Sequence, residues 1–241
     1  MNKNNIIKLI NYLFLIYIFT NFIILSSNCY PSKNNDFIQT ELNIDPSEII
    51  SKSSQSIKNL NSFYFDLSHE NGFTFISNNL SLQSARGDVI SSEELNIEFD
   101  GLISETSIKS GVIVKDESTY LKNPLNGNWE TIPENINPIN FFDPSILIPN
   151  ILNDILEPKV IENTNKQYII KGILPNKSLA SIVPNPLNNG NIETLLTIRK
   201  SDFLISQAIL VGKVDIMEPI DTKRIIKLSK FNEIKSISVP K

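Results

Sequence analysis

Hydrophobic and polar positions alternate with a period of two along most of the chain, which predicts β-strands. In residues 62–69, Phe63 and Phe65 fall on one face and Tyr64 falls on the other. Similar runs are separated by Asn-Gly, Arg-Gly-Asp and Asp-Gly turn signals, which indicate an antiparallel meander. The alternating runs cover residues 62–69, 73–76, 80–90, 94–99, 102–114, 119–122, 129–132, 168–174, 192–199, 203–214 and 222–231.

Three segments have helical spacing instead. Asp45 is a suitable N-cap and Glu48 a capping-box acid, and the apolar residues that follow predict a helix over residues 46–60. Residues 144–157 and 176–183 predict two further short helices, both of which interrupt the series of strands. One helix before the sheet and two within it favour an α+β fold.

The N-terminus has the order of a secretory signal peptide. An uncharged apolar run over residues 9–25 follows Lys3 and Lys8. A run of this length is also close to what spans a bilayer as a helix. We therefore predict that residues 1–28 are a signal peptide or a membrane anchor, and that the protein leaves the cytoplasm.

The single cysteine, Cys29, follows this segment directly and resembles the acylated cysteine of a bacterial lipoprotein. Leu25 lies four residues before it, where three is usual, so two alternatives stay open. Either Cys29 is cleaved and acylated, or the apolar segment remains as the anchor. In both cases residues 29–43, which are polar and without periodicity, act as a flexible tether to a single domain over residues 44–241.

Composition excludes several kinds of site. The net charge of −4 and a pI near 5.2, without a basic run, argue against a nucleic-acid partner. One Cys and one His cannot form a zinc site of Cys and His ligands, and 8 Gly against 13 Pro disfavour glycine-rich phosphate loops. We expect no metal site and no cofactor.

Catalytic residues are also scarce. The Gly-x-Ser-x-Gly motif of lipases is absent, and an esterase built on His69 is much less favoured than a structural histidine. Two acid pairs, Glu93 with Glu94 and Asp215 with Glu218, lie near turns, and we predict that they are solvated. The sequence therefore does not predict an enzyme.

Short motifs follow one another at characteristic spacing from residue 62 onward. They are Gly-Asp-Val from residue 87, Tyr-Leu-Lys from residue 120 with Trp129 after it, Phe-Asp-Pro-Ser-Ile-Leu from residue 142, Lys-Gly-Ile-Leu-Pro from residue 171, Leu-Ala-Ser-Ile-Val-Pro from residue 179, and the strands 194–199 and 203–214. Their order resembles that of the LppX/LprAFG lipoprotein family, whose lipidated cysteine corresponds to Cys29.

The resemblance implies a U-shaped antiparallel half-barrel with short helices on its concave face. It also implies a hydrophobic cavity that binds acyl chains of triacylglycerol or glycolipid, and a lipid carrier held on the outer side of the membrane. The partners expected from the resemblance are an acylated lipid and the membrane. The resemblance does not decide whether a membrane transporter is a further partner. The alternative is a half-barrel that serves as a sensor or assembly module and binds a protein instead of lipid.

The apolar strand faces predict the wall of this cavity, although an apolar stripe of this kind also commonly packs as ordinary core. The predicted wall consists of Phe63, Phe65, Phe73, Phe75, Leu95, Ile97 and Phe99. The two inserted helical segments predict a movable cover. This cover consists of Phe141, Phe142, Ile146, Leu147, Ile151, Leu179, Ile182 and Val183.

Overall fold

The computed structural model describes residues 45–77, 80–91, 93–133, 144–183 and 185–240. The predicted leader, Cys29 and the tether lie outside these residues. Residues Asn43–Lys241 form one compact unit, and this unit contains the whole described hydrophobic core. We therefore expect it to fold without the segment that precedes it.

Twelve strands form one antiparallel sheet in the described part of the chain. They are β1 (Phe63–Asn71), β2 (Thr74–Ser77), β3 (Leu80–Ser91), β4 (Glu94–Ile103), β5 (Thr106–Lys115), β6 (Ser118–Lys122), β7 (Trp129–Ile132), β8 (Leu156–Asn163), β9 (Gln167–Pro175), β10 (Asn191–Arg199), β11 (Ile205–Val211) and β12 (Lys223–Ser229). Their order is β7-β6-β5-β4-β3-β1-β12-β11-β10-β9-β8, with β2 paired to β3. The end strands β7 and β8 do not pair with each other, so the sheet is open, and the predicted α+β half-barrel is confirmed.

The first and last strands pair in the middle of the sheet. Phe65 lies opposite Leu228, and Leu67 lies opposite Ile226. Paired residues on adjacent strands point to the same face, so this register brings apolar side chains from both ends of the chain together. The strands β1 to β7 and β8 to β12 are thereby joined into one continuous concave surface.

Helix α1 (Pro46–Lys58) precedes the sheet and begins as the sequence predicts. The Asp45 carboxylate accepts a hydrogen bond from the backbone N–H of Ser47 at 2.9 Å, which caps the first turn. One face of the helix carries Ile49 and Ile57, each 2% exposed, into the core. The helix packs against the second helix, α2 (Pro144–Asn153).

Two of the predicted helices are shorter than their apolar patterns suggest. Helix α2 ends at Asn153, and the chain then enters the edge strand β8, where Pro158 is tolerated because an edge strand leaves donors unpaired. The segment predicted as a helix over residues 176–183 has only one 3₁₀ turn, Asn176–Leu179. The Asn176 amide, which is fully buried, donates to the backbone carbonyl of Lys213 at 2.9 Å, and this bond ties the turn to the loop after β11.

The single strand predicted over residues 102–114 is two strands. Ser104 and Glu105 have left-handed φ values of 47° and 70°, and they form the tight turn between β4 and β5. The sequence gives no glycine or asparagine signal here, and side chains pay a steric cost in this region of φ. The prediction therefore missed the turn.

Candidate functional site

An apolar cavity of about 260 Å³ lies between the concave face of the sheet and α2, and is termed the large cavity. Its walls come from β1, β2, β3, β4, β5 and β12, and α2 lies across it. Every lining side chain is apolar. They are Phe63, Phe65, Leu67, Ile76, Leu80, Leu82, Ala85, Ile97, Phe99, Val112, Leu147, Ile148, Ile151, Ile182, Ile226 and Leu228.

A second cavity of about 160 Å³, the small cavity, adjoins the first. The two share six lining residues, which are Leu67, Ile148, Ile151, Ile182, Ile226 and Leu228. The small cavity extends toward β10 and β11, where Leu196 and Leu210 line it. It differs from the large cavity in three polar lining residues, Thr74, Thr194 and Arg224.

The predicted wall residues fall into two groups. Four line the large cavity, namely Phe63, Phe65, Ile97 and Phe99. Phe73, Phe75 and Leu95 lie outside the lining of both cavities. Leu95 is fully buried between its strand partners Val89 and Val114, so it belongs to the packed core.

The predicted cover residues that the structure describes all line a cavity. Leu147 lines the large cavity, Leu179 and Val183 line the small one, and Ile151 and Ile182 line both. Phe141, Phe142 and the side chain of Ile146 lie outside the described residues. The described part of the cover therefore faces the interior of the half-barrel.

Several lining residues were not predicted. Leu67, Ile148, Ile226 and Leu228 line both cavities, and they carry the same periodic signal as the predicted residues. Leu67 lies on the predicted apolar face of β1, and Ile226 lies in the last alternating run. Their contribution depends on the pairing of β1 with β12, which the alternating pattern alone does not reveal.

Arg224, which lines the small cavity, belongs to a buried ion pair. The Arg224 guanidinium, 4% exposed, donates to the Glu218 carboxylate, which is 2% exposed. Glu218 also accepts from the backbone N–H groups of Val214 at 2.8 Å and Phe75 at 3.2 Å. Asp215 is 1% exposed, so the prediction that Asp215 and Glu218 are solvated is wrong, because the loop after β11 folds both carboxylates inward.

The single histidine belongs to the same network. His69 Nδ1 lies 2.7 Å from the carbonyl oxygen of Gln83 and therefore carries a hydrogen, because a carbonyl can only accept. His69 Nε2 then accepts from Thr74 Oγ1 at 2.9 Å, and Thr74 Oγ1 accepts from Arg224 Nε at 2.7 Å. Both ring nitrogens are thus engaged in structural hydrogen bonds.

Burial is the main cause that lowers the pKa of His69 below its ordinary value. The positive charge of Arg224 acts in the same direction. The hydrogen bond to the Gln83 carbonyl and the negative charge of Glu218 oppose this shift. The surroundings therefore favour the neutral imidazole, in which Nδ1 donates and Nε2 accepts.

The described residues contain no group of three or more His, Cys, Asp or Glu side chains that could hold a metal ion. Among the helices described, none is both long and apolar enough to cross a membrane.

One family model matches the chain. The family model described as LppX_LprAFG lipoprotein matches residues 45–233. The crystal structure of LprF from Mycobacterium bovis superposes with a TM-score of 0.58 at 16% identity, covering 81% of this chain and 96% of LprF. LppX from Mycobacterium tuberculosis gives 0.54 at 15% identity, covering 80% of this chain and 98% of LppX. No curated protein sequence matches the chain.

Proposed function

Because the chain belongs to the LppX/LprAFG lipoprotein family, we propose that it binds the acyl chains of an envelope lipid in its two cavities and carries this lipid between the membrane and the cell envelope. The observation that supports this proposal most strongly is the large cavity, whose lining is entirely apolar. Such a lining offers acyl chains a place out of water, which stabilises a complex by roughly 0.8 kcal/mol for each buried CH₂. We propose triacylglycerol or a glycolipid as the cargo, with its headgroup at the mouth of the cavity.

We propose that the cover moves to admit the lipid. Pockets that enclose a drug-sized ligand commonly measure about 300–1,000 Å³. Each of the two adjoining cavities, at about 260 and 160 Å³, lies below that range on its own, and a lipid with several acyl chains would need more room than either one provides. Ile148 and Ile151 of α2 line both cavities, so an outward movement of α2 would enlarge them together.

We further propose that the protein is held on the outer side of the membrane. Acylation of Cys29, or retention of residues 1–28 as an anchor, would place the half-barrel next to its source of lipid. The net charge of −4 does not favour attraction to anionic headgroups, so the anchor would supply the attachment.

Organic extraction tests the binding function. Residues 43–241 would be purified from the native or a related host, and the extract would be analysed by mass spectrometry against protein that had been denatured and washed. We expect about one diacyl or triacyl lipid for each protein. A protein that carries no lipid and does not bind added lipid would refute the proposal. That result would favour the alternative, a half-barrel that binds a protein partner.

Substitution of the cover tests where the lipid lies. Ile151→Trp and Leu179→Trp place a large ring in the cavities, and we expect each to lower the bound lipid by more than half while the domain stays folded. Ile161→Trp is the matched control, because Ile161 is 56% exposed on the edge strand β8. Unchanged lipid content in both cover variants would reject the assignment of the cover.

A further inference from the structure

Thr194 lines the small cavity, and its buried hydroxyl is unpaired. The residue is 2% exposed, and its Oγ1 atom has no hydrogen-bond partner. The other two polar lining residues are paired, since Thr74 bonds to His69 and Arg224, and Arg224 bonds to Glu218. Among the three polar lining residues of the small cavity, Thr194 is therefore the one whose buried side chain lacks a hydrogen-bond partner.

The sheet register explains why no protein group reaches this hydroxyl. Thr194 lies opposite Leu210 of β11, and Leu210 lies opposite Arg224 of β12. Strands are about 4.8 Å apart, so the backbones of Thr194 and Arg224 are separated by about 10 Å with a leucine between them. On its other side Thr194 lies opposite Gly172, and a side chain there would clash with Ile155. Both flanks of Thr194 are thus apolar.

A buried hydroxyl without a partner is unfavourable, and valine would fill nearly the same space without that cost. An oxygen atom of a ligand in the small cavity would satisfy it. The charge of Arg224 is already balanced by Glu218, and Arg224 Nη1 donates to the Gly212 carbonyl at 3.0 Å. A neutral oxygen therefore suits this site better than a carboxylate or a phosphate.

We propose that the small cavity binds an ester carbonyl of an acyl lipid, with the Thr194 hydroxyl as the donor and the acyl chain in the large cavity. This inference rests on the proposed lipid-binding function and adds a polar group that recognises the ester of the lipid. The two cavities adjoin along Leu67, Ile226 and Leu228, so one ligand can occupy both. An ester fixed in this way would set how far the chain enters the half-barrel.

Three probes of similar length test the proposal: methyl palmitate, an n-alkane with the same number of heavy atoms, and palmitate. Affinities would be measured by competition with a fluorescent acyl probe on residues 43–241, after each variant is shown to unfold in one cooperative transition. We expect Thr194→Val to weaken binding of the ester about fivefold and to leave the alkane within twofold. Thr194→Ser should keep the affinity for the ester, and the parent protein should bind the ester more tightly than palmitate.

Thr197→Val is the matched control, because Thr197 lies on the same strand with its side chain on the opposite face. An equal loss for ester and alkane in Thr194→Val, or no loss for either, would overturn the proposal while lipid binding stands. Tighter binding of palmitate than of the ester would overturn it as well. If the parent protein binds none of the three probes, the proposed function fails and this inference fails with it.

Discussion

The large and small cavities share strands β1, β2 and β12, yet they differ in chemistry. Ile226 and Leu228 of β12 line both cavities, whereas Arg224, two residues earlier on the same face, lines only the small one. The large cavity is apolar throughout, so in the proposed function it would distinguish ligands mainly by size and apolar surface. The lining of the small cavity includes Arg224 of the buried ion pair and Thr194, whose hydroxyl is unpaired. One face of β12 therefore contributes to an apolar cavity and, two residues away, to a cavity that also has polar lining residues.

The buried ion pair of Arg224 and Glu218 is costly to build. Each charge loses its hydration on burial, and their attraction compensates only when further hydrogen bonds complete the geometry. Glu218 has such bonds from Val214 and Phe75. Glu218 therefore holds the loop after β11 against β12 through Arg224 and against β2 through Phe75.

The largest effect is expected from removal of one partner of this pair. Glu218→Ala leaves the Arg224 guanidinium buried without its counter-charge, and we expect the free energy of unfolding to fall by about 3–5 kcal/mol in urea titrations. The double variant Glu218→Leu with Arg224→Met should lose less than Glu218→Ala. A loss below about 1 kcal/mol for Glu218→Ala would show that water already reaches the ion pair.

The second prediction compares the stability lost on alanine substitution in the packed core with the stability lost on the cavity wall. Ile198 is fully buried in the core, whereas Ile226 has empty space on one side. We expect Ile198→Ala to cost about 3–4 kcal/mol and Ile226→Ala about 1–2 kcal/mol, because a side chain beside a void has fewer contacts to lose. Urea unfolding of the lipid-free variants measures both, and equal losses would mean that the wall is as tightly packed as the core.

The smallest effect on stability is expected from protonation of His69 as the pH falls. Burial lowers the pKa of His69 in the folded protein, so the unfolded chain binds its proton first as the pH falls. The stability supplied by the neutral imidazole is thus complete above about pH 6.5 and decreases below it, toward the lower pKa of the folded state. Arg224 and Glu218 are the charged groups that act on His69 in this network.

The measurement is the urea midpoint at several values between about pH 7.5 and 5.5, for the parent protein and for His69→Gln. The parent should lose stability over this range, and the variant should show a flatter profile. Identical slopes would mean that His69 does not titrate differently on folding.

Much of the half-barrel could be predicted from periodicity, because most strands bury one face and expose the other. Strand β8 was missed since it lies at the sheet edge, where burial no longer imposes alternation, and it contains Pro158. The turn at Ser104 and Glu105 was missed because neither residue is typical of left-handed φ. Both errors arise where local sequence and tertiary context disagree.

The candidate site was less predictable than the fold. Phe63 and Phe65 could be placed on the wall by alternation alone. The polar lining could not, because Arg224 and Thr74 are 150 positions apart and meet only through the pairing of β1 with β12. Glu218 lies in a turn whose sequence is typical of a solvated loop, and only the packed structure shows its buried partner.

A crystal structure of residues 43–241 loaded with a lipid that carries bromine on its acyl chain tests the central claim most directly. The account predicts anomalous bromine peaks inside the large cavity, between the side chains of Phe65 on β1 and Ile151 on α2. Bromine peaks on the outer face of the sheet, with both cavities unchanged from the lipid-free protein, would contradict it.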